Sequence, residues 1–157
     1  MIVLGIDPGT TRIGYGVIES SGNSLRHITS GILEVAPKET SGERLNEIQT
    51  SLERLLLRTQ PEKVGIERLF FSKNKKTALS VAEARGVLVA TVVHNKIPLL
   101  ELSPNEVKLA VTGNGNSKKN AVAKMVSLLL RVDVSHLLDD ATDALAIAIA
   151  SSNKRLE

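Results

Sequence analysis

The chain has 157 residues, of which 42% are hydrophobic and 24% are charged, a balance typical of soluble globular proteins. It contains no cysteine, which excludes disulfides, thiolate metal sites and a cysteine nucleophile. Its net charge of +3 is compatible with a nucleic-acid partner but too small to establish one. We expect a single domain over residues 1–157 that works in the cytoplasm and not in a membrane, because the sequence shows no signal peptide and no apolar run of bilayer length.

The start of the chain has the pattern of a three-stranded antiparallel meander. An apolar run from Met1 to Ile6 predicts a buried strand that ends at Asp7, where a Pro-Gly pair forces a turn. Two further strands are predicted over 12–20 and 25–35, joined by a polar four-residue linker. Asp7 either caps the turn or pairs with a cation, since a carboxylate at the end of a buried strand is costly to leave unpaired.

A helix and a second acid-terminated strand follow. Apolar residues at helical spacing predict an amphipathic helix over 43–59, which Pro61 ends. The next predicted strand, over 63–68, is an apolar run that ends in Glu67. It therefore repeats the pattern of the first strand, in which one carboxylate follows a buried segment.

A loop and a long helix come next. The loop over 69–74 carries two of the three aromatic residues of the chain, Phe70 and Phe71, together with Lys73. The helix predicted over 75–94 is rich in alanine and glycine, so it can pack closely either inside the core or across a dimer.

The last third of the chain holds a strand and three helices. A strand is predicted over 97–102. Ser103 then caps a short helix, with Pro104 at its first position and Glu106 completing a capping box. We predict that Ser117 caps the next helix, which ends at Leu130, and that a final helix runs over 138–152. The element order predicts an α/β fold: a mixed five-stranded sheet, three strands antiparallel and the later ones parallel, with helices on both faces.

Four carboxylates are candidates for one site. Asp7 and Glu67 end buried strands, and Asp140 and Asp143 are three residues apart, so they share a face of the final helix. Clustered carboxylates repel each other unless a cation neutralises them, and a two-metal site of this kind hydrolyses phosphodiesters. Each acid alone is as well explained by a cap or a surface charge. Asp139 also shares a face with Asp143, so spacing leaves the choice between Asp139 and Asp140 open.

The sequence closely resembles the RuvC family of Holliday-junction resolvases, in the ribonuclease-H-like superfamily. The resemblance is carried in order by LGIDPGTTRIGYGVI, IERLFFSKN, ARGVLVA, EVKLAVTGNGNSKKNAV and DATDALAIAIA. It implies a ribonuclease-H-like fold and a metal-dependent endonuclease that makes paired nicks in strands of like polarity in a four-way DNA junction, during recombination and repair. It also implies a homodimer that works with the branch-migration proteins RuvA and RuvB.

The resemblance assigns roles to seven residues. The catalytic, metal-binding acids would be Asp7, Glu67, Asp140 and Asp143, holding Mg²⁺ or Mn²⁺, with two ions in each site; the family pattern favours Asp140 over Asp139. The DNA-binding residues would be Phe70, which stacks on bases, and Lys108 and Lys119, which lie near the phosphates. Because Lys118 precedes Lys119, that last assignment can slip by one residue. Lys73 is a further candidate for phosphate contact, because it lies with other lysines at the start of the predicted long helix.

Three other functions fit parts of the sequence. The turn after Asp7 also occurs in actin-like ATPases and sugar kinases, but those folds need a second domain and a second phosphate loop. A different ribonuclease-H-like nuclease, acting on branched DNA or an RNA–DNA hybrid, would carry the same acids. A junction-binding protein without catalysis would not need the four acids.

Overall fold

The computed structural model of the chain describes residues 1–36, 40–69 and 75–154. Its five strands form one sheet in the order β3-β2-β1-β4-β5. The elements in chain order are β1 (Ile2–Asp7), β2 (Arg12–Ser21), β3 (Ser24–Glu34), α1 (Ser41–Thr59), β4 (Lys63–Glu67), α2 (Lys75–His94), β5 (Leu99–Leu102), α3 (Pro104–Thr112), α4 (Lys119–Leu130) and α5 (Asp139–Asn153).

The predicted fold class is confirmed. Strands β1, β2 and β3 pair antiparallel, whereas β4 pairs parallel with both β1 and β5. One hydrophobic core lies between the sheet and helices α1 and α2, and a second lies between the sheet and helices α3, α4 and α5. The sheet therefore has helices on both faces, as the element order indicates.

Three local predictions were wrong in detail. The β2–β3 turn has two residues rather than four, because Ser21 and Ser24 still pair and Gly22 adopts the positive φ of 57° that the tight turn needs. Strand β5 begins at Leu99, after a proline that has no N–H to donate. Ser117 does not cap α4: its hydroxyl lies 2.7 Å from the Thr112 hydroxyl, and the helix begins one residue later, after Lys118.

The alternation of side chains along β1 decides what faces α5. Leu4 and Ile6 point into the core with α1 and α2, so Gly5 and Asp7 point to the opposite face, where α5 lies. A Cβ atom on Gly5 would overlap the carbonyl oxygen of Ala144, and one on Gly14 would overlap that of Asp140. Helix α5 therefore rests on the backbone of β1 and β2, closer than side chains would allow.

The other end of α5 is held by a buried lysine. Lys63, at the start of β4, is only 4% exposed. Its Nζ donates hydrogen bonds to the carbonyl oxygens of Ser151, at 3.1 Å, and Lys154, at 2.6 Å. These bonds satisfy carbonyl groups that the end of a helix leaves without partners inside the helix. The position of α5 is thus fixed at both ends.

Helix α2 corrects one expectation. Its segment 77–94 is long and apolar enough to cross a bilayer by length and composition, although no such run was expected. The apolar character of this segment is easy to overlook in the sequence, because Glu83 and Arg85 interrupt it. Both charges pair within the fold: Glu83 with Arg44 of α1 at 3.2 Å, and Arg85 with Glu101 of β5. These pairs hold α2 against the domain.

The outer side of α2 carries apolar residues that are open to solvent, and the exposed Glu83 lies among them at the same helical spacing. Leu79 is 70% exposed and Val93 is 58% exposed. Between them on the same face, Gly86 and Ala90 are exposed as well. We call these four residues the outer face of α2.

Candidate active site

Two acids of the predicted set lie side by side at the ends of parallel strands. Strands β1 and β4 are paired with Ile6 opposite Ile66, so Asp7 and Glu67 are the next residues on neighbouring strands. Both follow residues that point to the α1–α2 core, and both therefore point to the α5 face. The sheet places these two carboxylates where the first turns of α5 approach it.

Helix α5 brings the other two acids over the same region. The backbone of Asp140 contacts Gly14, which pairs with Asp7 across β1 and β2. Asp143 follows three residues later, on the same side of the helix. The negative charges of Asp143, Glu67 and Asp140 all act on Asp7, so the four predicted acids converge electrostatically on this corner of the sheet.

Three of these acids line a common cavity. Asp7, Glu67 and Asp143 surround a space of about 220 Å³, which Lys108 and Lys119 also line. Asp140 lies beside it, in a neighbouring depression that Arg12 and Asp139 share. The predicted DNA contacts Phe70 and Lys73 lie outside the described residues, so the structure places only the two other predicted lysines at the site.

The site holds more negative charge than its lysines offset. Burial, together with the charges of Asp143, Glu67 and Asp140, raises the pKa of Asp7 to about 7, against a smaller opposing effect of Lys119. Burial, with the Asp143 charge, also raises the pKa of Glu67, against a smaller opposing effect of Lys108. Burial raises the pKa of Asp143 too, although the Lys119 ammonium partly offsets it. A bound cation would relieve all three groups.

Two basic side chains hold the acids of α5. Lys119 Nζ lies 3.1 Å from Asp143 Oδ2 and 3.3 Å from Asp139 Oδ2. Burial lowers the pKa of Lys119, but its bonds to Asp143 and Asp139 outweigh that effect and raise it. Arg12 Nη2 lies 2.8 Å from Asp140 Oδ2.

The surroundings of Asp139 and Asp140 differ. The side chain of Asp139 is 78% exposed, whereas that of Asp140 is 33% exposed. The backbone of Asp140 also contacts Gly14, and its carboxylate charge raises the pKa of Asp7. These differences favour Asp140 as the member of the acid set.

The acids suit a hard divalent cation by their chemistry. All four offer carboxylate oxygens, the ligands that Mg²⁺ and Mn²⁺ prefer, and their mutual repulsion is the kind that such a cation neutralises. Within the described ranges, no three His, Asp or Glu side chains already form a group that could hold one ion. Asp140 and Asp143 pair instead with Arg12 and Lys119, each through its Oδ2 atom.

Two basic residues at the site were not identified from the sequence. Arg85 of α2 donates from Nε to the carbonyl oxygen of Glu67 at 2.9 Å, which fixes the end of β4. Arg12 holds Asp140 as described above. Arg12 could have been found from its position two residues before Gly14, since residues two apart in a strand share a face. Arg85 gives no such signal, because its contact depends on how α2 crosses the sheet.

Comparison with known proteins identifies relatives along nearly the whole chain. The family model "Crossover junction endodeoxyribonuclease RuvC" matches residues 3–151. A protein of that name from Brachyspira hyodysenteriae is 44% identical over 98% of this chain and 95% of its own length. The Thermus thermophilus RuvC structure covers 97% of this chain and 93% of its own, with a TM-score of 0.86 and 32% identity. A structure of T. thermophilus RuvC in complex with a Holliday junction substrate gives a TM-score of 0.85 at 30% identity, with coverage of 97% and 93%. Full-length agreement in both sequence and fold leads to one conclusion: the chain belongs to the RuvC family of crossover junction endodeoxyribonucleases.

Proposed function

We propose that this protein is a metal-dependent endonuclease that resolves Holliday junctions by paired nicks in strands of like polarity. The observation that carries the proposal is the cavity in which three half-buried carboxylates meet two lysines. Membership of the RuvC family and the fold shared with a junction-bound relative support it. Its place would be DNA recombination and repair.

Asp7, Glu67, Asp140 and Asp143 are the proposed ligands of Mg²⁺, with Mn²⁺ as an alternative and two ions in each site. Two such ions, when bound, would supply an activated water and stabilise the leaving oxygen of a phosphodiester. The carboxylates orient the water and hold the charge of the site. Because the pKa of Asp7 is raised to about 7, a metal ion would compete with a proton for its carboxylate near neutral pH. Deprotonation of Asp7 would therefore accompany metal binding.

Lys108 and Lys119 are the proposed phosphate contacts at the cavity. Both line it beside the acids, where an ammonium can pair with a phosphate oxygen of the strand to be cut. Phe70 and Lys73 lie outside the described residues and are proposed as further DNA contacts, Phe70 by its match to the family motif and Lys73 by its charge beside other lysines. Phosphate contacts of this type position the DNA without reading its sequence.

We further propose that the enzyme is a homodimer that pairs through the outer face of α2. A four-way junction presents two equivalent strands, so paired nicks need two active sites related by symmetry. The outer face of α2 is an apolar surface, and the nearby charges of Glu83 and Arg85 are paired within the fold. A self-complementary contact would bury it.

RuvA and RuvB are the proposed partners of this enzyme. We also propose that residues 1–157 form a single nuclease domain that works in the cytoplasm.

A nicking assay tests the function and the choice of acids together. Purified protein should cut a four-way junction with mobile homologous arms in the presence of Mg²⁺ and leave a linear duplex of the same sequence intact. Asp140→Asn should lose nearly all nicking, because its carboxylate is a proposed ligand. Asp139→Asn is the matched control; it should keep most of its activity, because its carboxylate is 78% exposed and pairs with Lys119.

The other functions predict different outcomes. Preferential cleavage of an RNA–DNA hybrid would indicate another ribonuclease-H-like nuclease, and binding without any nick would indicate a non-catalytic junction protein. Full activity of Asp140→Asn with loss of activity in Asp139→Asn would mean that Asp139, and not Asp140, is the ligand.

A further inference from the structure

The start of β2 lies under the start of α5. Arg12, Gly14 and Gly16 are two residues apart in β2, so their side-chain positions share one face of the strand. A Cβ on Gly16 would lie 2.7 Å from the Leu145 nitrogen, and one on Gly14 would overlap the Asp140 carbonyl oxygen. Helix α5 thus lies flat along the two glycines, and Arg12 is the next residue on that face. Its long side chain reaches the first turn of α5.

Arg12 holds the one proposed acid that stands apart from the cavity. Its Nη2 is 2.8 Å from Asp140 Oδ2, and both groups lie in the depression beside the cavity of the other three acids. The Asp140 backbone is fixed by its contact with Gly14, so its side-chain direction is what remains adjustable. A guanidinium at this distance competes with a metal ion for the same carboxylate oxygens.

We propose that Arg12 keeps Asp140 out of the metal site in the free enzyme and releases it when DNA arrives. The inference rests on the proposed function, because it takes Asp140 as a metal ligand. Arg12 is a positioning residue: it acts on the metal through Asp140. Its release would couple completion of the site to the presence of a substrate.

A DNA phosphate is the competitor that fits Arg12. The side chain is 49% exposed, so it can reach a ligand outside the protein. Guanidinium groups bind phosphate oxygens in the same bidentate manner as carboxylate oxygens. The exchange is feasible because partly exposed ion pairs are weak. Arg12 would then add one phosphate contact near the scissile strand while Asp140 turns to the metal.

The first test measures Mn²⁺ affinity without DNA, by calorimetry on the full chain. Arg12→Gln should bind Mn²⁺ about two- to five-fold more tightly than the wild type, the range expected when a weak competing ion pair is removed. Arg26→Gln is the matched control. Arg26 pairs with Glu19 on the same sheet at 2.7 Å, and the substitution removes the same charge as Arg12→Gln does. It should leave Mn²⁺ affinity unchanged.

A double-mutant cycle separates the specific pair from a general charge effect. In an Asp140→Asn background, Arg12→Gln should no longer change Mn²⁺ affinity, because the carboxylate for which they compete is gone. If the gain persists in that background, Arg12 acts only through the net charge of the protein and the proposal is overturned.

The second test measures binding of a four-way junction in EDTA. Arg12→Gln should weaken binding more than Arg26→Gln does, and should reduce the salt dependence by about one phosphate contact. Equal affinity of the two variants would overturn the exchange with phosphate. If the wild type nicks junctions and binds Mn²⁺ but Arg12→Gln changes neither measurement, the inference fails while the proposed function stands. If the wild type neither binds Mn²⁺ nor nicks, both fail.

Discussion

Asp7 lies at the buried end of β1 and faces three other carboxylates. Burial and those charges raise its pKa to about 7 from the ordinary value of 3.8. The folded protein therefore keeps a proton on Asp7 at pH values where the unfolded chain has released it. Because the unfolded chain binds fewer protons in that window, the stability of the metal-free protein falls as pH rises from about 4 to about 7.

Replacement of Asp7 by asparagine should stabilise the metal-free protein. The variant removes the buried charge, so its melting temperature should exceed that of the wild type by at least about 3 °C near pH 8. The gain should be smaller near about pH 5, where the folded wild type already holds the proton. Calorimetry in EDTA at both pH values measures the difference.

Asp133→Asn is the control of opposite sign. A hydrogen bond from the Ser135 backbone lowers the pKa of Asp133, so this carboxylate is favoured in the folded state and its loss should not stabilise the protein. A melting temperature of Asp7→Asn below that of the wild type near about pH 8 would mean that the Asp7 carboxylate stabilises the fold, contrary to the linkage argument.

At the scale of elements, α5 depends on glycines of β1 and β2 for its distance from the sheet. Gly5→Ala should lower the free energy of unfolding by about 3 kcal/mol or more, because the new methyl group meets the backbone of α5 and cannot turn aside. Gly42→Ala is the matched control: Gly42 lies in the exposed first turn of α1, where alanine favours a helix by up to about 1 kcal/mol. Urea unfolding followed by circular dichroism measures both.

Equal stability of the two alanine variants would show that α5 can move away from β1 without cost. In that case the position of Asp140 and Asp143 would not depend on the glycine contacts. A loss confined to Gly5→Ala supports the close approach of helix and strand.

The order of the elements was predictable because each one carries a local signal. Apolar runs, helical spacing and the capping box at Ser103 indicated strands and helices whose order gave the confirmed fold class. Ser117 was misassigned because a hydroxyl signals a cap only when no closer partner takes it, and here Thr112 does. The direction in which α5 crosses the sheet had no local signal.

The acids of the site were easier to find than their partners. Asp7 and Glu67 each follow a buried strand, which the sequence shows directly. The contact between Arg12 and Asp140 joins residues far apart in the chain, and it exists only because α5 crosses β2 at Gly14. Sequence spacing could relate Asp143 to both Asp139 and Asp140, but only the position of the helix separates the two.

At the scale of the whole molecule, the outer face of α2 should decide whether two copies associate. Val93→Glu places a charge on that face and should shift the protein to monomers, because an unpaired charge in an apolar contact is costly. Leu57→Glu is the matched control, since Leu57 is 76% exposed on α1, away from the outer face of α2. Sedimentation velocity gives the oligomeric state of each variant.

A dimer that survives Val93→Glu would place the contact between copies elsewhere. If Leu57→Glu alone gives monomers, α1 carries that contact. The wild type and Leu57→Glu should both sediment as dimers if the proposal is correct, and only Val93→Glu should sediment as a monomer.

Because α5 packs directly on the glycine backbone of β1 and β2, its position has a consequence for how members of the family diverge. A spacing set by main-chain atoms does not change when a neighbouring core side chain gains or loses a methyl group. The relative from Brachyspira hyodysenteriae is 44% identical, so most aligned positions differ between the two chains. We expect that core residues around α5 can drift in volume during evolution while the separation between Asp7 and Asp140 is inherited unchanged.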